Sequence, residues 1–220
     1  MQLTSVLLAR VYALFQTEDL NPKGTVFYPD VVKLLVERYE FNKYPTKEEE
    51  LDESKGIEFH TGRSGTTVIE KVVILNSGIY VDTLASTDAS EEILLDAMAW
   101  ATKEFGLMFK PEMLKRRAYI SNITFHSDAP LLDFHPTFAK VCNIMTKEVT
   151  ENFGQNLKYM PSGIAMTFDP RSTNFGTSPF TLLRREGAPW DEKKYFSASP
   201  LRTKIHISLI EEMEKDLSRK

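Results

Sequence analysis

The sequence has a single cysteine, Cys142, in 220 residues, so no disulfide can close within the chain. That composition fits a reducing compartment, and the expected location is the cytoplasm. Histidine is nearly as sparse. His60, His126, His135 and His206 are the four present. No two of them stand four residues apart on a helical stretch, so no metal site is expected. Glycine-rich phosphate loops, a GxSxG elbow, HExxH and CxxC are missing, and with them the signatures of nucleotide, acyl-hydrolase, zinc-protease and thiol-redox sites. No cofactor is implied. No apolar run reaches the roughly 18 residues that a membrane span needs, and no membrane partner is expected. The opening MQLTSVLLARVYALFQ lacks a basic start, is interrupted by Arg10 and has no small-x-small cleavage site. It reads as the first buried element rather than a leader. Excess positive charge is absent too. A net charge of −4 argues against binding nucleic acid through its phosphates.

What is present is ordinary globular material. Hydrophobic residues at 42% and charged residues at 26% leave no case for long disorder. A chain of this length buries about 70% of its unfolded surface and needs no staple to fold.

Leu3, Val6, Leu7, Val11, Leu14 and Phe15 fit a helix over 3–16, although residues 11–15 would also suit a sheet. NPKG at 21–24 is turn chemistry. YPDVVKLLVERYEF follows as a helix with Pro29 in its first turn. The acidic run PTKEEELDESKG at 45–56 reads as a solvated loop. GIEFHTG, TTVIEKVVIL and IYVDTL are strands, with hairpin signals at GRSG and NSG. STDASEEILLDAMAWATKEFG is the clearest helix, with Asp88 and Glu91 as a capping box or Ser90 as the cap, and Gly106 as the stop. Beyond 113, AYISNITFH reads as a strand. A helix over 136–153 runs from Pro136 to Gly154, with Phe138, Val141, Cys142, Met145 and Val149 as its buried face. Cys142 in that face reads as a structural thiol. GIAMTFDP, SPFTLLRRE and LRTKIHISL read as strands, GAPWDEKKYFSASP at 187–200 as irregular, and the C-terminus as a short helix.

The expected fold class is α+β: mostly antiparallel sheet with helices packed on one face. The second half is partly ferredoxin-like, departing from that pattern where a second helix would stand. The expected division is an N-terminal subdomain over 1–112 and a C-terminal β-α-β-β-β-α subdomain over 113–220, or one continuous domain.

The candidate binding residues gather in the last third. If 201–209 is a strand, Arg202, Lys204 and His206 share a face with one of Arg184 and Arg185, making a cationic surface for an anionic small ligand or an acidic partner. Charged edge protection is the plainer account of the same residues. Trp190 and Tyr195 in the irregular segment are candidate partner contacts, or pins holding that segment to the core. DPRSTNFGTSP at 169–179 is a polar connection suited to hydrogen bonding or to a simple turn. HPT at 135–137 and HIS at 206–208 resemble the paired motifs of two-histidine phosphoesterases, in which strand-borne histidines act as acid and base. In that alternative His206, Ser208 and His135 are catalytic. Pro136 argues against it, because it commits His135 to a helix entrance. The reading therefore leans away from an enzyme. It favours an interaction or assembly protein that binds a protein partner, itself or an anionic ligand, with a phosphodiester hydrolase as the alternative.

Overall fold

In the computed structural model, which describes every residue except Thr25, Asn156, Pro170, residues 172–175 and Lys220, the chain opens on a strand. β1 (Gln2–Leu14) replaces the expected helix. Ala9, Val11 and Ala13 are fully buried and their neighbours Arg10, Tyr12 and Leu14 only half so. That is a period of two, not 3.6. Leu3 and Leu7, which made the helical spacing plausible, are exposed.

The elements that follow are α1 (Tyr28–Tyr39), β2 (Ile57–Ser64), β3 (Thr67–Leu75), β4 (Gly78–Thr83), α2 (Thr87–Phe105), β5 (Arg117–His126), α3 (Pro136–Phe153), β6 (Gly163–Met166), β7 (Phe180–Arg184), β8 (Lys194–Ser199) and α4 (Thr203–Leu217). Among the described residues the fold is α+β, with antiparallel strand pairs and four α-helices. No helix among the described residues is long and apolar enough to cross a membrane. The chain forms two compact units.

The larger unit takes Val6–Asn122 and Ser199–Lys204. Its strands run in the order β2-β3-β4-β1-β5. The hairpin between β3 and β4 closes on Leu75 and Gly78. Gly78 has φ +140, and a Cβ there would stand 1.9 Å from the Ala13 carbonyl oxygen. No other residue fits. One sheet face buries Ile57, Phe59, Val72 and Val81 against Leu35 and Tyr39 of α1 and Leu94 and Met98 of α2. Tyr39, Phe41 and Phe59 form a tilted aromatic series at 6.0 and 5.3 Å. Gly62 lets Phe41 approach, since a Cβ would meet its ring at 2.5 Å. Helix α2 is capped by Ser86, whose Oγ accepts from the Ala89 amide at 3.1 Å. Neither Asp88 nor Ser90 serves as the cap. Asp88 turns to Arg202, and the Ser90 hydroxyl donates to the Ala9 carbonyl at 2.8 Å.

The smaller unit takes Met1–Ser5, Ile123–Ala198 and Ile205–Lys220. Its strands follow the order β5-β8-β7-β6. The opening β5-α3-β6-β7 is followed directly by β8, and α4 comes last. Two expectations fail here. The segment 187–200 is irregular only as far as Lys193, beyond which it becomes β8. The run 201–209 enters a helix rather than forming a strand. The reason is shared. β8 buries Tyr195, Ser197 and Ser199, and α4 buries His206 and Ile210 at helical spacing while Ile205 stays 52% exposed. Buried Ser and His carry no hydrophobic signal, so the pattern they form is silent in the sequence.

Helix α3 has the expected ends. His135 is the N-cap, its Nδ1 accepting from the Thr137 amide at 3.2 Å, and Gly154 turns left-handed at the other end. Its burial departs from expectation. No residue of α3 is fully buried.

Candidate functional site

Four apolar side chains of α3 face solvent together. Phe138 is 55% exposed, Val141 47%, Ile144 55% and Met145 42%. Their spacings of three and four put them on one side over two turns. The helix meets its own unit through a different side, where Cys142, Thr146, Val149 and Thr150 are half-buried. At 3.6 residues per turn the two sides are separated by roughly a third of a turn. Of the face expected in the core, Phe138, Val141 and Met145 are therefore turned outward, joined by Ile144, while Val149 is half-buried. Cys142 lies on the contact side and is half-buried.

Single exposed hydrophobic residues are common and signify little. Several adjacent ones mark surfaces that other molecules cover. Beyond the helix end, Leu157 and Tyr159 are also exposed, and the Tyr159 amide donates to Thr146 Oγ1 at 2.8 Å, holding that return segment beside α3. Lys140, Lys147, Glu148 and Glu151 lie along the exposed helix. β6 stands at the end of the strand order with Met166 exposed.

The premise of the expected cationic face, a strand through 202–206, does not hold, because those residues enter α4. In the smaller unit, Arg184 ends β7 with its guanidinium 4.7 Å from the Trp190 ring and 5.8 Å from the Tyr195 ring. Nη1 donates to the Trp190 carbonyl at 3.3 Å. Arg184 thus holds the turn before β8 by cation–π contact. Tyr195 is buried and stacks on Phe125 at 5.6 Å, while Trp190 remains exposed. Arg185 is exposed.

In the larger unit, Arg202 is fully engaged. It pairs with Asp88 at 2.8 Å and Glu91 at 2.7 Å, donates to the Tyr119 hydroxyl at 2.6 Å and lies 4.5 Å from that ring. Arg117 also pairs with the buried Glu91. A buried carboxylate needs such compensation. This cluster therefore satisfies Glu91 internally rather than presenting charge to an anion. Lys204, in the first turn of α4, is exposed.

His206 is fully buried. Its Nε2 lies 2.8 Å from Ser197 Oγ, which is 2.7 Å from the Thr181 carbonyl oxygen. A hydroxyl has one proton and a carbonyl can only accept. Ser197 therefore donates to Thr181, and His206 Nε2–H donates to Ser197. A serine nucleophile needs the opposite direction, with the histidine accepting. The Phe180 ring packs edge-on at 6.2 Å and helps to enclose the imidazole. Ser208 is exposed on α4, and His135 spends its Nδ1 on the helix cap. Neither histidine sits on a strand, as the two-histidine arrangement requires.

Sequence reasoning missed a row of polar side chains on the larger unit's sheet. Arg10 donates to both oxygens of Asp82, at 2.6 and 2.7 Å, and lies 4.0 Å from the Tyr80 ring. Lys71 and His60 both reach Glu58, at 2.7 and 2.9 Å. The alternation of Glu58 and His60 signalled this face; reading β1 as a helix hid Arg10. The row is internally neutralised. Among the described residues, no group of three His, Cys, Asp or Glu side chains could hold a metal ion. The connection at 169–179 lies partly outside the described residues.

No protein-family model and no curated protein matches this chain.

Proposed function

We propose that this protein works by association and that α3 is the surface it uses, with a second copy of the chain as the occupant. The observation that carries this is the row Phe138, Val141, Ile144 and Met145, exposed on a helix that meets its own unit by another side. Apolar surface held in water is a standing cost, and covering it drives association. Amphipathic helices with anchors at this spacing commonly dock face to face or into grooves.

Charge along α3 favours a copy of itself. Lys140 is the one charged residue of the N-terminal half, and the C-terminal half carries Lys147, Glu148 and Glu151, a net charge of −1 with Lys147 3.9 Å from Glu151. Two such helices packed antiparallel set Lys140 of each near the acidic end of the other. A two-fold contact of this kind is self-complementary and closes on itself. An anionic small ligand has less support, because Arg184 and Arg202 already have partners. A cytoplasmic setting belongs to the same proposal, resting on the single thiol.

Sedimentation equilibrium tests it. The unmodified chain should show a concentration-dependent dimer, and Ile144→Glu should abolish it while leaving the circular dichroism unchanged and the Tm at that of the unmodified chain when dilute and monomeric. A monomer at every concentration up to hundreds of micromolar would rule out the second copy as occupant.

A further inference from the structure

We propose that the larger unit contains a binding site for a small, uncharged, apolar molecule, of the size of one aromatic ring or a short branched alkyl group. The site is a cavity of about 90 Å³ between α1, α2 and the sheet. Leu35 of α1, Leu94 and Met98 of α2, Val72 of β3 and Val81 of β4 line it, with the half-buried Trp100 at its rim. Among the described residues around it there is no Asp, Glu, Lys, Arg or His.

Size is the first argument. Protein interiors leave few voids larger than a water molecule. About 10–15 Å³ measured in this way holds one water, and this cavity is several times larger. Chemistry is the second. A buried water needs two to four polar partners, and of the polar side chains here Tyr39, Asn21 and Thr17 are already occupied, which leaves only the half-buried Tyr28 hydroxyl and Trp100 indole N–H to offer one. The Tyr39 hydroxyl donates to Asp96 at 2.5 Å. Asn21 brackets Val26, its Nδ2 donating to the Val26 carbonyl at 3.1 Å and its Oδ1 accepting from the Val26 amide at 3.3 Å. Thr17 Oγ1 points to the Asn76 carbonyl at 3.4 Å. The remaining wall is aliphatic and aromatic, and apolar cavities of this kind stay dry and take up hydrocarbons.

The ligand's charge follows from the surroundings. At the Tyr39 end, Arg38 is paired with both oxygens of Asp96 at 2.8 and 2.9 Å. A carboxylate arriving there would have to compete with Asp96 for the guanidinium. The site therefore takes a neutral molecule in preference to a fatty acid of similar length.

Toluene and octanoate are suitable probes of the protein. Trp190→Phe leaves Trp100 as the only tryptophan, because the chain has two. Saturating toluene should raise Tm and change Trp100 emission, and octanoate should do neither. Ala101→Leu, which fills the wall beside Met98, should remove the toluene effect. Ile144→Glu, on the surface of α3, should preserve it, separating this site from the association surface. Methyl NMR of the unmodified protein covers the case in which Ala101→Leu does not fold. Toluene should shift the methyl signals of Leu35, Leu94, Met98, Val72 and Val81. No shift, or shifts restricted to Val141 and Ile144, would overturn the site. A stronger response to octanoate than to toluene would overturn the neutral-ligand assignment.

Discussion

Thr87 and Thr203 each cap the other's backbone. The Thr203 hydroxyl accepts from the Thr87 amide at 3.1 Å, and the Thr87 hydroxyl accepts from the Thr203 amide at 2.9 Å. Both residues are buried, and each opens a helix, α2 and α4 respectively. The first amides of a helix have no partner within it, so each side chain meets a need the other helix creates. Thr203→Val keeps the shape and removes one acceptor, leaving the Thr87 amide buried and unpaired. The expected loss is about 1–2 kcal/mol. Urea unfolding should show a lower midpoint with an unchanged m-value. Thr87→Val together with Thr203→Val should cost less than the sum of the two single changes, because the hydroxyls act on one local structure.

Met145→Asp separates an outward-facing stripe from a buried one. In a core, an unpaired carboxylate would cost several kcal/mol. On the exposed side of α3, the change in stability should stay within about 0.5–1 kcal/mol. Ile210→Ala is the matched contrast. Ile210 is fully buried on α4, and its truncation should cost about 2–5 kcal/mol. Chemical denaturation of both variants checks the pair.

Ser197→Ala tests the direction of the buried hydrogen bonds. It would remove the hydroxyl that accepts from His206 Nε2–H and donates to the Thr181 carbonyl, at an expected cost of about 1–3 kcal/mol. Ser197→Thr keeps the hydroxyl but adds a methyl group in a fully buried position, and should recover part of that loss. Thermal unfolding of the three proteins gives the order.

Acid should destabilise the larger unit through two carboxylates. Lys71, by its hydrogen bond, holds the Glu58 carboxyl below its ordinary range, with His60 assisting. Burial works to raise Asp96, but the hydrogen bonds from Tyr39 and Arg38 outweigh it and leave that carboxyl lowered too. A carboxyl depressed in the folded state contributes stability that is complete above the unfolded pKa, about 4, and is lost as pH falls through the folded value. Tm should therefore fall on acidification below about pH 4. In Glu58→Gln part of that fall should disappear. Calorimetry between pH 2.5 and 7 measures both slopes.

Much of the architecture was legible because its punctuation is chemical. Pro136, Gly154 and Gly106 announce helix ends by the dihedrals they prefer or permit. The hairpin at Asn76–Gly78 and the strand in GIEFHTG were equally plain. Elements failed to show where burial and hydrophobicity part company. Ser197 and His206 are buried and hydrogen-bonded to one another, and Ser199 is buried with no hydrogen-bond partner for its hydroxyl among the described residues, so β8 and the start of α4 looked irregular or wrongly periodic. β1 misled in the opposite way, since its exposed Leu3 and Leu7 completed a helical spacing. The stripe on α3 could be read from the sequence, but its direction could not. A stripe of Phe, Val and Met has the same spacing whether it meets its own domain or another molecule. The cationic face was read from a strand through 202–206, and that run enters a helix instead.

Cys142 gives this chain a built-in clock. It is the one thiol in the sequence and lies on the side by which α3 rests on its unit. A bulky alkylating reagent reaches it fully only when that side lifts away, so the ratio of its labelling rate to that of the unfolded chain counts local opening events. If two copies clamp α3 between them, the clock should slow as protein concentration rises, with no probe added beyond what the sequence already carries.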